Sequence, residues 1–166
     1  MTTRNELAPL WAPWRMEYIL GEKSGGCFLC DIARAPARRD RRNLLLCRGA
    51  HGLVVMNRYP YNNGHLLVAP YRHVRGIEEL NVAERAEWMD LTARAVAALR
   101  ATMRPDGFNV GVNLGKVAGA GLEAHIHQHI VPRWNGDTNF MPVVAGVKVI
   151  PQSLLSAYDQ LRPHFG

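Results

Sequence analysis

In the run His125-Ile126-His127-Gln128-His129-Ile130-Val131-Pro132, three histidines alternate with other residues and lead into an apolar stretch. Successive side chains of a β-strand point to opposite faces, so His125, His127 and His129 share one face at about 6.6 Å per step. Ile126 and Ile130 fall on the other face and suit a core. Three of the chain's seven histidines are concentrated on this one surface. Imidazole titrates near neutral pH and serves as base, nucleophile or metal ligand. The plainer alternative is an exposed strand face or a tag-like metal-binding tract. The internal position, the apolar opposite face, the Gly-rich segment before the run and Arg133-Trp134 after it favour a functional strand.

Outward from this strand the chain reads as short strands and two helices. Residues 44–48 and 53–56 are β-like runs separated by residues 49–52, which is hairpin spacing. Asn62-Asn63-Gly64 is a turn signal leading into a third strand at 65–69. Within 80–103, Trp88, Leu91, Ala95, Val96, Leu99 and Met103 recur at helical spacing, which predicts one long helix with a buried stripe. Asn81 caps it, Glu84 three residues later completes a capping-box pair, and Pro105-Asp106-Gly107 ends it. Residues 108–114 read as a fourth strand and the histidine run as the fifth. Pro151 at a first helical turn predicts a C-terminal helix over 152–161. Five short strands on short turns with one long helix give an α+β arrangement around an antiparallel sheet. No repeat or linker divides the chain. A single domain over 1–166 is expected, with 1–25 as an irregular extension whose Trp11, Trp14 and Tyr18 pack on the body.

At 166 residues, 48% of them hydrophobic, the chain can bury a real core and is not disordered. No apolar run approaches the roughly 20 residues of a membrane helix, and the N-terminus has no apolar signal region, so a cytoplasmic enzyme is expected. The net charge of +6 comes mostly from arginine, which suits bidentate phosphate recognition and draws in anionic substrates. The densest cluster, Arg38-Arg39-Asp40-Arg41-Arg42, reads as a solvated loop. The chain has neither a basic recognition helix nor the aromatic strand motifs of RNA-binding sheets, which ranks nucleic-acid binding last.

Other residues carry candidate chemistry. Asn113-Leu114-Gly115-Lys116-Val117-Ala118-Gly119-Ala120-Gly121 leads directly into the histidines. Its glycines would let backbone N–H groups approach phosphate, so Gly119, Ala120 and Gly121 become candidate polyphosphate contacts, with charge from Lys116. Trp134 is placed to stack on a base, to close the site or to pack. Cys47, inside an apolar run, reads as a buried free thiol. Cys27-x-x-Cys30 is a redox dithiol, two unrelated cysteines or half of a zinc site. No βαβ context supports the first.

The histidine run resembles that of the histidine triad (HIT) superfamily of nucleotide hydrolases and transferases. The likeness extends to Asn57-Arg58-Tyr59-Pro60, Gly64-His65-Leu66-Leu67-Val68, Pro70-Tyr71-Arg72-His73, Asn113-Leu114-Gly115 and Ala118-Gly119. The segments 10–19 and 131–140 are similar to the bacterial diadenosine tetraphosphate phosphorylase branch. The resemblance implies the HIT-like fold and a homodimer in which paired protomers extend the sheet. It implies that His127 attacks the α-phosphate to give a nucleotidyl-histidine, that His129 holds phosphoryl oxygens, and that His65 supports the nucleophile. His65 also reads as a hydrogen-bonded structural histidine. Asn57 matches the ribose-binding position, or is a strand-end turn residue; Asn113 matches a polar position near the phosphates. Gly121 stands where the family often carries Ser or Gln. A structural zinc is implied on Cys27, Cys30, His73 and His125, with His51 as the rival third ligand, and the chemistry itself needs no metal. The implied substrate is an adenine dinucleoside polyphosphate, with inorganic phosphate or water as acceptor. A nucleoside phosphoramidate or other adenylyl-conjugate hydrolase is the second enzyme reading, and a nucleotide-binding module with incidental catalysis the third.

Overall fold

The structure, a computed structural model, describes residues 26–137 and 150–166. The expectations placed on 1–25 and on residues 138–140 lie outside the described residues. Five strands form one antiparallel sheet: β1 (Leu45–Arg48), β2 (Gly52–Met56), β3 (Leu66–Pro70), β4 (Gly107–Val112) and β5 (Gln128–Arg133). Their order is β1-β2-β3-β5-β4. Among the described residues four α-helical segments accompany them: α1 (Phe28–Arg34), α2 (Asp40–Asn43), α3 (Val82–Met103) and α4 (Leu154–Leu161). The α+β arrangement with one long and one C-terminal helix is the expected one.

α3 begins where the capping pair requires it. Asn81 accepts the Glu84 backbone N–H at 2.9 Å, and Glu84 accepts that of Asn81 at 2.8 Å. Leu91, Ala95 and Leu99 are buried against the sheet, with Trp88, Val96 and Met103 packed partly buried beside them. Each fully buried leucine contributes about 1.5–3 kcal/mol. The Asn63-Gly64 turn sits under this helix at φ +70°, where a Cβ on Gly64 would come within 2.6 Å of the Met103 sulfur. Both the left-handed backbone and the close approach require glycine there. Among the described residues, no helix is long and apolar enough to cross a membrane.

Three local expectations are corrected. The histidine run does not enter the ladder at His125; β5 pairs with β3 only from Gln128, opposite Val68. Two steps on in the same register Pro70 would face Ile126 with no N–H to give, and the Ile126 N–H goes to the Val74 carbonyl instead. The C-terminal helix starts at Leu154, because Ser153 accepts the Ser156 N–H at 3.2 Å and sets the N-cap past Pro151. The arginine cluster is exposed as expected, but it is helical, a 3-10 turn at Ala37–Arg39 running into α2. Asp40 there meets Arg48 of β1 at 2.7 Å, and Arg48 also donates to the carbonyls of Ala33 and Ala35 at the end of α1.

Candidate active site and metal cluster

β5 and the residues before it sort their side chains by parity. Ile126 and Ile130 are buried, and Gln128 faces α3, where its Oε1 accepts the Thr92 hydroxyl at 2.6 Å. His127 and His129 line a cavity of about 500 Å³ together with Asn57, Gly121, Phe28, Asp31, Ile32, Asn43 and Met56.

The hydrogen bonds fix how each ring carries its proton. His127 is buried, and its Nδ1 lies 2.8 Å from the His125 carbonyl oxygen. A carbonyl only accepts, so Nδ1 bears the hydrogen and the lone pair resides on Nε2. Burial pushes the His127 pKa below its ordinary value, opposed by the bond to His125. The ring is therefore neutral and nucleophilic near pH 7. His65 is 1% exposed, and its Nδ1 accepts the Tyr61 backbone N–H at 3.1 Å. Its Nε2 consequently donates to His129 Nδ1 at 2.9 Å, which leaves the proton of a neutral His129 on its own Nε2. Asn57 stands behind the relay. Its Oδ1 accepts the Tyr59 N–H at 2.9 Å, which turns its amide nitrogen toward His65 Nδ1 at 3.3 Å.

The second assembly is Cys27, Cys30, His73 and His125, whose four donor atoms all lie within 4.8 Å of one another. Cys27 precedes α1, Cys30 is in its first turn, His73 follows β3 and His125 precedes β5. His125 Nε2 donates to the Pro70 carbonyl at 2.9 Å, so its Nδ1 lone pair faces the sulfurs of Cys27 at 3.2 Å and Cys30 at 3.5 Å. Cys30 is 3.3 Å from His73 Nδ1. One lone pair cannot accept fully from two thiols, whereas a tetrahedral ion at about 2.0–2.3 Å from each donor gives edges of about 3.5 Å. The donor set therefore fits a tetrahedral divalent metal. Burial pushes the Cys30 thiol pKa up, with Cys27 adding to it, a shift that a bound cation reverses. The His73 loop is tied to the fold on both sides. Arg72 forks onto Glu84 at 2.6 and 2.8 Å, and Val74 accepts the Ile126 N–H at 2.7 Å.

A HIT domain family model matches residues 42–136. The chain is 43% identical over 157 residues to a protein of Mycobacterium tuberculosis named AP-4-A phosphorylase, covering 91% of this chain and 80% of that one. It is 31% identical to an uncharacterized HIT-like protein of Methanocaldococcus jannaschii over 67% of this chain and 81% of the other. The crystal structure of a Zn-bound histidine triad family protein from Mycobacterium smegmatis superposes with a TM-score of 0.66 at 26% identity, covering 84% of this chain and 93% of that one.

The chain belongs to the HIT domain family.

Within this HIT domain, the described residues divide the expected site in two. His127, His129, Asn57 and Gly121 surround the cavity, with His65 immediately behind His129. Asn113, Lys116, Gly119 and Ala120 do not line it. They form the loop beside it, a 3-10 turn at Lys116–Ala118 in which Asn113 reaches the Gly119 carbonyl at 3.5 Å. Trp134 is not in the wall either. Its ring N–H donates to the Met103 carbonyl at 3.3 Å, because the last turn of α3 leaves carbonyls without helical partners. His51 is exposed, with its backbone N–H on Glu87, so the cluster takes His73. Cys47 is buried and free. The cavity face of α1, namely Phe28, Asp31, Ile32 and then Ala35, was not anticipated. Its signal was present as an i, i+3, i+4, i+7 spacing starting inside the Cys-x-x-Cys motif.

Proposed function

We propose that this HIT domain transfers nucleotidyl groups out of dinucleoside polyphosphates, diadenosine tetraphosphate foremost, onto inorganic phosphate. The observation that carries the reading is the His127 ring. Its Nδ1–H is held by the His125 carbonyl and its Nε2 lone pair belongs to a residue lining a nucleotide-sized cavity. The similarity to a protein named AP-4-A phosphorylase over 91% of this chain supports the choice of substrate and acceptor.

In the first step His127 Nε2 forms a bond to the α-phosphorus as the anhydride P–O bond breaks, and ATP leaves. In the second, phosphate forms a new P–O bond as the P–N bond breaks, releasing ADP and the neutral ring. The His65–His129 relay holds an N–H for the phosphoryl oxygens, where charge grows in both transition states. Asn57 keeps a second N–H and a second lone pair for ribose hydroxyls. Phe28 and Ile32 supply apolar surface for a base. Lys116 and Asn113, in the flanking loop, are assigned to the distal phosphates.

The cluster of Cys27, Cys30, His73 and His125 is assigned to one structural zinc, which would hold the segment ahead of β5 in place. β4 pairs only with β5 among the described strands, and Val110 on it is 44% exposed. That free edge supports a homodimer that extends the sheet.

The test is product analysis of diadenosine tetraphosphate turnover with and without inorganic phosphate. ADP plus ATP, formed only with phosphate, is the expected result. AMP plus ATP regardless of phosphate would make the enzyme a hydrolase. No turnover in either condition would overturn the substrate assignment and point to phosphoramidates or other adenylyl conjugates.

A further inference from the structure

The metal cluster and the cavity share one short helix. α1 has seven residues, and ligands alternate with wall residues along its start: Cys27 and Cys30 belong to the cluster, Phe28, Asp31 and Ile32 to the cavity. No ligand can shift without its neighbour in the wall shifting too. α1 is far below the length at which a helix is stable alone. Arg48 holds its C-terminal end through the carbonyls of Ala33 and Ala35. Its N-terminal end has no side-chain cap, and the cluster stands in that position.

The opposite wall is tied to the same four donors. His125 offers its ring to the cluster and its carbonyl to His127 Nδ1 at 2.8 Å. A metal held there would fix both the face that meets the base and the ring that meets the α-phosphorus.

We infer that the Cys27-Cys30-His73-His125 cluster is a clamp on the substrate cavity, so that metal and nucleotide reinforce each other's binding. The inference rests on the nucleotide reading above. Coupling of this kind is reciprocal: whatever factor the metal adds to nucleotide affinity, the nucleotide adds to metal affinity. A metal that served only to hold the fold would leave its ligand geometry indifferent to the cavity's contents. Cys27, Cys30, His73 and His125 are then positioning residues for substrate.

The experiment uses the whole chain loaded with cobalt in place of zinc and AMP as the probe, with calorimetry first giving the AMP affinity. The expected result is a saturable change in the cobalt ligand-field bands on AMP addition, with the calorimetric dissociation constant. Cobalt affinity, measured by chelator competition, should also tighten about tenfold, in the usual range of site–site coupling. Bands unchanged at saturating AMP overturn the clamp and leave the nucleotide reading standing. Failure of the loaded protein to bind AMP overturns that reading, and the clamp with it.

Discussion

Replacing His65 separates the relay's contribution to stability from its contribution to catalysis. The ring is 1% exposed and engages Tyr61 N–H, the Asn57 amide and His129 Nδ1. His65→Leu leaves all three groups without this partner. A fully buried polar group that loses a hydrogen bond costs about 1–3 kcal/mol, these three are half-buried, and the leucine's own burial returns part of the loss, so a net loss of about 2–4 kcal/mol is expected. At about 2–4 °C per kcal/mol for a chain of this size, Tm falls by about 5–15 °C. Catalysis suffers separately. His129 loses the donor that keeps its proton on Nε2, and kcat should fall about 10- to 100-fold, or about 1.4–2.7 kcal/mol in the barrier. His65→Gln is the control, because its Oε1 can accept from Tyr61 and its Nε2 can donate to His129. It should recover most of the stability and hold kcat within about tenfold of the parent. Steady-state turnover of diadenosine tetraphosphate and thermal melts by circular dichroism read both quantities. A leucine variant with parental kcat, or one no worse than the glutamine variant, would refute the relay.

His127→Asn should abolish turnover and the phosphorus–nitrogen adduct seen by mass spectrometry of the quenched enzyme, while its circular dichroism stays parental; retained turnover would remove the nucleophile from the mechanism. Elemental analysis should find about one zinc per protomer, from the four-donor rule, and a folded, metal-free protein as purified would count against the assignment. Glu84 is held down to about 2 by its fork with Arg72 and the Asn81 N–H. Its contribution to stability is full above the ordinary carboxylate range and is lost as pH falls from about 4.5 toward 2. Because Arg72 is half-exposed, that contribution is about 1–2 kcal/mol. Urea titrations should show an acid-side loss of this size that Glu84→Gln lacks. Val110→Arg on the β4 edge, which pairs with no described strand but β5, should turn the proposed dimer into a monomer in light scattering, and an unchanged mass would rule out pairing through that edge.

Much of the fold could be read before the structure because its rules are local. The apolar runs that become β1, β2 and β3 are bounded by glycine and asparagine turns, and the start of α3 is written in Asn81 and Glu84. The misreadings have a common physical source, a partner distant in sequence. β5 starts at Gln128, opposite Val68, and ahead of it the Ile126 N–H goes to the Val74 carbonyl while the Pro70 carbonyl takes the His125 ring. Trp134, which the sequence left open between stacking, closing the site and packing, sets its ring N–H on a carbonyl at the end of α3, 31 residues away in sequence. α1 is not legible in the sequence, because seven residues carry too little periodicity to stand out.

The site divides along the same line. That three histidines alternate along one short run is plain in the sequence, so their identity was open to a reader of it, although only His129 lies on β5 and His125 and His127 just precede it. What each does depends on which nitrogen holds a proton, and no spacing rule supplies that. The Pro70 carbonyl takes the Nε2–H of His125 and turns its Nδ1 to the cysteines; the His125 carbonyl takes the Nδ1–H of His127 and frees its Nε2. His129 differs from both, because its Nδ1 accepts from His65. In the roles proposed above, three chemically identical side chains two residues apart thus serve as metal ligand, nucleophile and hydrogen-bond donor by the polarity of one neighbour each. Two of those neighbours, Pro70 and His65, stand on or just before β3, the strand beside β5. The pairing of β3 with β5 therefore differentiates His125 and His129, while His127 takes its tautomer from the His125 carbonyl two residues before it.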